Sequence, residues 1–412
     1  MASARTVRGR GLARAMLGAA PVALAVAAAL LPASGRGTAR RRAAAKAAPR
    51  LELGAVTGPA GFARAMRPRP FTLPADHGPH FDTQTEWWYY TGNVAAADGR
   101  RFAFQLTFFR RGLAPGPPPA EGLATNQAYC AHLAVTDVAA GRHVGVERCA
   151  RGAGGLAGAT AAGVPGSGGT DGSSSVWLEG WRADGRSADG SAVRLVARDP
   201  ASSLSLDVEL RATKPLVLHG DRGLSAKSDE PGNASYYVGY TRMAAAGRLG
   251  APGVEADVAG AAWFDHEWST SALGPGAVGW DWFSLQLDDR RDLMLFRIRR
   301  EDGRVEAASG GTLVERDGRT RRLSAADVQV EVRRRWTSPE TGTTYPSLWR
   351  LSVPVAGLDL VVEPWIADQE MRTTFLYWEG AVRVSGRAGD RAVAGLGYVE
   401  LTGYGRSMQG VF

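Results

Sequence analysis

The sequence predicts an all-β protein, and three observations carry that prediction. Short runs of alternating apolar and polar residues recur along the body, the period-two signature of strands with one buried face. Turn signals separate them, Asp98-Gly99 above all, a favoured hairpin pair. Glycine is abundant, 53 of 412 residues against a usual share of about 7%, and there are 12 Trp. Sustained helical periodicity is scarce. Many short strands at regular spacing point to barrels or sandwiches.

Residues 1–34 read as an export signal. Arg5 to Arg14 form a charged start, Ala15 to Leu31 an apolar run, and Leu31-Pro32-Ala33-Ser34 a small-residue cleavage site. The alternative is an uncleaved N-terminal anchor. No Cys follows the run, which argues against a lipoprotein anchor. No second apolar run of about 18 residues exists, so the processed protein is not an integral membrane protein. Residues 35–64 form a basic, disordered tether.

The strands then follow. Glu86–Val94 and Arg101–Phe109 flank the Asp-Gly turn; centring on it pairs Trp88 with Phe109 and Glu86 with Arg111. Phe102, Phe104, Leu106 and Phe108 share one face and Gln105 and Thr107 the other, as in a half-buried strand. Gln127–Thr136 and His143–Cys149 form a hairpin symmetric about Ala139/Ala140, which sets Cys130 opposite Cys149. In an oxidising compartment that pair forms a disulfide; two free buried thiols are the alternative. Ala150–Ser175 is Gly/Ala/Ser-rich and reads as a surface excursion. Further strands fall at Ser191–Val196 and Leu204–Leu210. Ala244–Gly253 then marks a boundary between a domain at 65–245 and one at 254–412. The second domain carries strands at Phe283–Leu287, Leu293–Ile298, Val328–Val332, Leu351–Val355 and Leu358–Val362. A hairpin of Phe375–Ser385 with Ala392–Thr402 closes it.

Charge excludes one class of partner. Ten of the 49 Lys and Arg, and none of the 41 acids, lie in the first 50 residues, so the body is nearly neutral. Bulk charge therefore implies no nucleic-acid surface. Nucleotide-binding and α/β-hydrolase motifs are absent. His266-Glu267 is followed by Trp-Ser-Thr, not the zinc-protease spacing, and His77 and His80 lack a third ligand nearby in sequence. No metal and no cofactor are expected.

Three aromatic–acid clusters remain. Glu86, Trp87, Trp88 and Tyr90 form the first. Asp265, His266, Glu267 and Trp268, followed by Trp280 and Trp282, form the second. Tyr377, Trp378 and Glu379, with Glu400 and Tyr404, form the third. On a strand, Phe264, His266 and Trp268 project to one face and Asp265 and Glu267 to the other. An imidazole between aromatic rings stays neutral and can act as a general base, and a carboxyl among indoles can stay protonated as a general acid. The bland readings are an ion pair of Glu86 with Arg110 or Arg111, a core histidine at 266, and tryptophans that only pack.

His80-Phe81-Asp82-Thr83-Gln84-Thr85-Glu86-Trp87-Trp88-Tyr89-Tyr90-Thr91-Gly92-Asn93 opens an ordered series of motifs. Phe104–Arg110, Asn233–Tyr237, Trp263–Trp268, Gly279–Phe283, Tyr345–Trp349, Tyr377–Val382 and Gly397–Tyr404 continue it. The series resembles the AttH/carotenoid 1,2-hydratase family over about residues 65–410. The resemblance implies two lipocalin-like (calycin-type) β-barrel domains packed side by side, with an apolar pocket at or near their interface. It implies a hydrophobic ligand: a lipid, isoprenoid or polyene. Family members add water to a terminal carotenoid double bond or fold polyenes for cycloaddition. The AttH branch is described as secreted hydrolases accompanying ABC transporter permeases. Asp292–Ile298 lacks the Tyr-x-Asp that accompanies Asp-His-x-Trp in the hydratases, which, with the leader, favours the AttH branch. The expectation is therefore an exported, periplasmic or secreted protein that binds an apolar ligand and hydrolyses or hydrates it. His266, Asp265, Glu267 and Glu86 would be the catalytic groups, and the clusters' aromatics with Glu379, Glu400 and Tyr404 the ligand's walls. A non-catalytic carrier serving an ABC transporter, and a carotenoid hydratase proper, are the alternatives.

Overall fold

The structure, a computed structural model, describes residues 61–119, 122–169, 172–270 and 273–409. The expected leader at 1–34, and the tether as far as residue 60, lie outside the described residues. The first sheet holds β1 (Thr85–Ala96), β2 (Arg101–Gly112), β3 (Gln127–Asp137), β4 (Arg142–Arg151), β5 (Ala157–Ala161), β6 (Ser174–Leu178), β7 (Trp181–Gly185), β8 (Ala192–Asp199), β9 (Leu204–Ala212), β10 (Val217–Leu218), β11 (Leu224–Ala226), β12 (Ala234–Ala251) and β13 (Val254–Ser269). The second holds β14 (Ala277–Leu287), β15 (Asp292–Arg300), β16 (Gly310–Val314), β17 (Thr320–Ser324), β18 (Gln329–Thr337), β19 (Thr344–Val353), β20 (Leu358–Pro364), β21 (Glu370–Arg372), β22 (Leu376–Ala388) and β23 (Arg391–Leu401). The first runs β4-β3-β2-β1-β13-β12-β9-β8-β7-β6-β5, with β10 and β11 on β12, and nearly closes into a barrel. The second runs β17-β16-β15-β14-β23-β22-β20-β19-β18, with β21 on β22, and curls into a half-barrel beside it. The all-β class and the side-by-side barrels therefore stand, the second being open.

Each barrel has its own core. Trp88, Tyr90, Phe102, Phe104, Leu106 and Phe108 fill the first. Phe283, Leu285, Trp349, Leu351, Leu360, Trp378 and Val399 fill the second. A third apolar cluster lies between the sheets, where Tyr89, Ala103, Tyr237 and Trp263 meet Trp282, Met294, Ala381 and Tyr398. This layer corrects the half-buried reading of β2. Gln105 and Thr107 are fully buried because their face meets the second sheet instead of water. Polar bonds tie the sheets at depth. Gln286 Nε2 donates to the Thr241 and Ala262 carbonyls at 2.7 and 2.9 Å, and Asn93 Nδ2 to Gly397 O at 3.0 Å.

Three local expectations need correction. The β1–β2 register pairs Trp88 with Phe108 and Glu86 with Arg110, one residue from the expected pairing. The turn is a three-residue loop in which Gly99, at φ +87°, takes the left-handed position and donates to Ala96 O. This bulged loop shifts the centre by half a residue relative to a two-residue turn. Residues 244–253 join no domains: β12 and β13 run through them as one hairpin, with Ala244–Gly250 also paired to β9. The chain passes between sheets after Ser269 and before Ala277. The excursion at 150–175 contains β5, which pairs with β6. Cys130 and Cys149 do sit opposite each other in the β3–β4 hairpin, Cα atoms 4.0 Å apart, and their sulfurs are bonded.

Candidate active site in the cleft between the sheets

β1 and β13 are antiparallel neighbours, with Trp87 opposite Glu267 and Tyr89 opposite Asp265. Alternation sends their side chains to two faces, and two polar centres result. Glu86 and His266 point into the first barrel; Trp87, Tyr89, Asp265 and Glu267 point at the second sheet.

The inner centre is a closed hub on Glu86. Its carboxylate accepts from Arg110 Nε at 2.7 Å, from His80 N and Nδ1 at 3.0 and 2.7 Å, and from His266 Nε2 at 2.9 Å. Burial pushes the Glu86 carboxyl up, but Arg110 and His80 outweigh it and hold the group well below the usual range. Burial lowers the His266 imidazole despite its bond to Glu86. Burial acts the same way on His80, but the Glu86 and Asp76 carboxylates win and raise it. His80 lies flat on Trp268 at 3.7 Å, and Trp88 stacks on His266 at 4.9 Å. Donor atoms of His80, Glu86 and His266 lie within 4.8 Å of one another, a group that leaves out His77, whose Nε2 bonds Asp189 O. Yet both imidazole nitrogens that face Glu86 already bond to it, and Arg110 adds a fixed cation. Of the atoms in the hub, His266 Nδ1 finds no hydrogen-bond partner among the described residues, but the nitrogens that face the carboxylate are already taken, so the hub fits a metal poorly.

The outer centre is a cleft with about 830 Å³ of empty space, its open mouth included. Trp87, Phe109, Trp280, Trp282, Phe296 and Phe375 form aromatic walls, and Leu273 and Ile298 add aliphatic surface. Besides the phenols of Tyr89 and Tyr237, four ionisable side chains among the described residues face it: Lys227, Asp265, Glu267 and Glu400. Asp265 accepts from Tyr237 Oη at 2.6 Å and from Trp263 Nε1 at 2.9 Å. Burial raises its carboxyl well above the usual range, more than those two donors lower it, which favours its protonated form. A side chain at Gly239, opposite Asp265 on β12, would collide with that carboxyl. Glu267 accepts from Ser235 Oγ and pairs with Lys227 Nζ at 2.9 Å. The same ammonium stands 4.8 Å from the Phe296 ring centre, a cation–π contact. From the other wall, Glu400 accepts from Trp280 Nε1 at 2.6 Å. Burial lifts its carboxyl to about 7, against the indole bond, with the Glu267 charge adding to the rise.

The AttH-like family model matches residues 64–404. The chain belongs to the AttH-like family. An AttH protein from Nitrosomonas europaea shares 32% identity and a TM-score of 0.71, over 83% of this chain and all of its own. Kievitone hydratase from Nectria haematococca shares the fold at 16% identity and TM-score 0.60, over 85% of this chain and 96% of its own. CghA does so at 17% and 0.52, over 84% and 96%. No curated protein matches the sequence.

In this AttH-like chain the expected site residues divide. Asp265, Glu267, Trp87, Trp280, Trp282 and Glu400 line the cleft. Glu86, Trp88, Tyr90, His266 and Trp268 are on the opposite face of the same strands and do not. Glu379 lies beneath the cleft, bonded to Tyr89. Tyr377 Oη bonds His132 Nδ1 at 2.7 Å, Trp378 belongs to the second core, and Tyr404 Oη donates to Asp281 at 2.9 Å. Sequence reasoning missed Tyr89, Lys227 and Tyr237. Tyr89 could have been found, two residues beyond Trp87 on the same face. Tyr237 bonds Asp265, and the β12–β13 pairing brings it there. Asp292, the acid of β15, is spent elsewhere: it binds Lys214 at 2.8 Å and Arg242 at 2.6 Å.

Proposed function

We propose that this chain holds an apolar ligand of the lipid, isoprenoid or polyene class in the cleft and adds water across one of its carbon–carbon double bonds. The observation that carries the reading is the buried Asp265 carboxyl, held by Tyr237 and Trp263 on an aromatic-walled cleft, where burial favours the protonated form. In the proposed step Asp265 gives its proton to one alkene carbon. Positive charge develops on the other, where the π faces of the surrounding rings stabilise it. Water adds to that carbon, and its proton passes to Glu400, whose pKa of about 7 suits a base near neutrality. The Glu267–Lys227 pair holds a fixed dipole beside the reacting atoms. Loss of water from the alcohol would use the same groups in reverse.

The fold shared with kievitone hydratase supports the reaction class. His266 and Glu86, expected among the catalytic groups, take a supporting part in this reading. They bind β1, β13 and the segment before β1 together from inside the barrel. Export remains part of the proposal, with the disulfide as its support. Among the described residues no helix is long and apolar enough to cross a membrane. Carriage for an ABC transporter permease is the alternative use of the same cleft. A buried neutral acid favours turnover, since an apolar cargo needs no proton donor.

The test is incubation with a panel of terminally unsaturated isoprenoids and polyenes in heavy-oxygen water. A product alcohol carrying the label, lost in Asp265→Asn, supports hydration. Ligand recovered unchanged from the native host, with no label taken up by any of the panel, supports carriage.

A further inference from the structure

A second acid–tyrosine pair lies in the wall of the cleft, and the hydration chemistry makes no use of it. Tyr89 lines the cleft and its hydroxyl bonds Glu379 Oε1. Glu379 is fully buried, and its other oxygen, Oε2, has no hydrogen-bond partner among the described residues. No cation among the described residues pairs with this fully buried carboxyl, and burial with the nearby Glu400 charge raises it well above the usual range, so the protonated form is favoured.

A neutral carboxyl and a phenol that share one hydrogen bond own two hydrogens between them. If Tyr89 donated, the acid's hydrogen would sit on Oε2, a buried donor with nothing to receive it. If Glu379 donates, Oε2 is only an under-used carbonyl oxygen, and the phenolic hydrogen is released. Buried donors without acceptors are much the rarer case. The second arrangement leaves the Tyr89 O–H free to serve the cleft. Trp282, edge-on to the Tyr89 ring at 5.1 Å, fixes its plane.

We propose that Tyr89, set by Glu379, is a hydrogen-bond donor to an oxygen of the ligand, so that the cleft prefers an oxygenated apolar molecule, carrying a carbonyl or ether oxygen, to a pure hydrocarbon. Tyr89 would touch the ligand; Glu379 is a positioning residue. The proposal rests on the cleft being a ligand site, as above, but not on water addition.

The experiment compares two probes of nearly equal shape, acetylnaphthalene and isopropylnaphthalene, by equilibrium binding to the full-length protein. Wild type should favour the ketone about threefold to tenfold, the worth of one neutral hydrogen bond. Its carbonyl stretch should shift to lower frequency when bound. Tyr89→Phe should abolish both the preference and the shift while still binding the hydrocarbon, which also reports that the variant is folded. Glu379→Gln should keep both, because the amide N–H replaces the acid O–H. Equal binding of the two probes to wild type, or a preference that survives in Tyr89→Phe, would overturn this proposal alone. A preference lost in Glu379→Gln would overturn the positioning role. Failure of both probes to bind would remove the cleft as a ligand site and both readings with it.

Discussion

Glu400→Gln tests whether the carboxyl on the second wall titrates as the cleft geometry requires. Burial takes the group from 4.5 to about 7. The folded protein thus keeps a proton that the unfolded chain has released, and stability falls as pH rises from about 4.5 to about 7. At about 1.4 kcal/mol per pH unit the whole shift corresponds to about 3 kcal/mol. Glu400 is half-buried at an open cleft, so solvent screening reduces the expected effect to about 1–2 kcal/mol. Glutamine keeps the shape and can still accept from Trp280 Nε1, but it carries no charge at any pH. The assay is urea unfolding of both proteins at about pH 5 and about pH 8, since that interval spans most of the linked proton release. Subtracting one protein's pH dependence from the other's cancels the histidines and the remaining carboxyls. Wild type should lose about 1–2 kcal/mol more than the variant across the interval. Parallel behaviour would refute the raised pKa and remove Glu400 as the proposed base.

Asp265→Asn should lower labelled-alcohol formation by about 10²–10⁴ while the melting temperature holds, since an amide keeps the shape but has no proton to give. Glu86→Gln should cost about 3–5 kcal/mol in chemical denaturation, because Arg110 is left buried without its counter-charge. His266→Asn should cost about 1–3 kcal/mol of stability, from the bond to Glu86 that it breaks, and leave ligand affinity in the cleft intact. A variant that keeps its stability but loses turnover would return His266 to the catalytic groups. Replacing Cys130 and Cys149 with alanine should cost about 3 kcal/mol in the same denaturation assay, by freeing in the unfolded chain the loop closed between cysteines 19 residues apart.

Much of the fold was legible because strands advertise themselves through alternation. The faces of β13 followed from the same period: Phe264, His266 and Trp268 do part from Asp265 and Glu267. What a strand cannot say is which face meets a ligand. The buried aromatics around His266 read as a dry active site, yet the walls of a barrel core have the same composition. Gln105 and Thr107 read as facing solvent because polar residues usually do; a second sheet, coded far downstream, covers them. Residues 244–253 read as a linker because alanine and glycine are small. In β12 the backbone of that stretch pairs with β9 on one side and β13 on the other. Lys227 carried no local signal. Its place beside Glu267 is made by tertiary contact alone.

The pairing of β1 with β13 also bears on how the chain reaches this structure. Thr85 must meet Ser269, and Ala96 must meet Val258. Until the later strand is available, one edge of β1 has no partner, and until the second sheet forms its Trp87 and Tyr89 face water. A half-finished chain would therefore expose a sticky, unpaired edge for as long as synthesis or translocation takes. Pairing across such a separation is slow to form. A protein of this topology is best kept unfolded until its whole length has emerged, and export followed by folding on the far side would provide that delay.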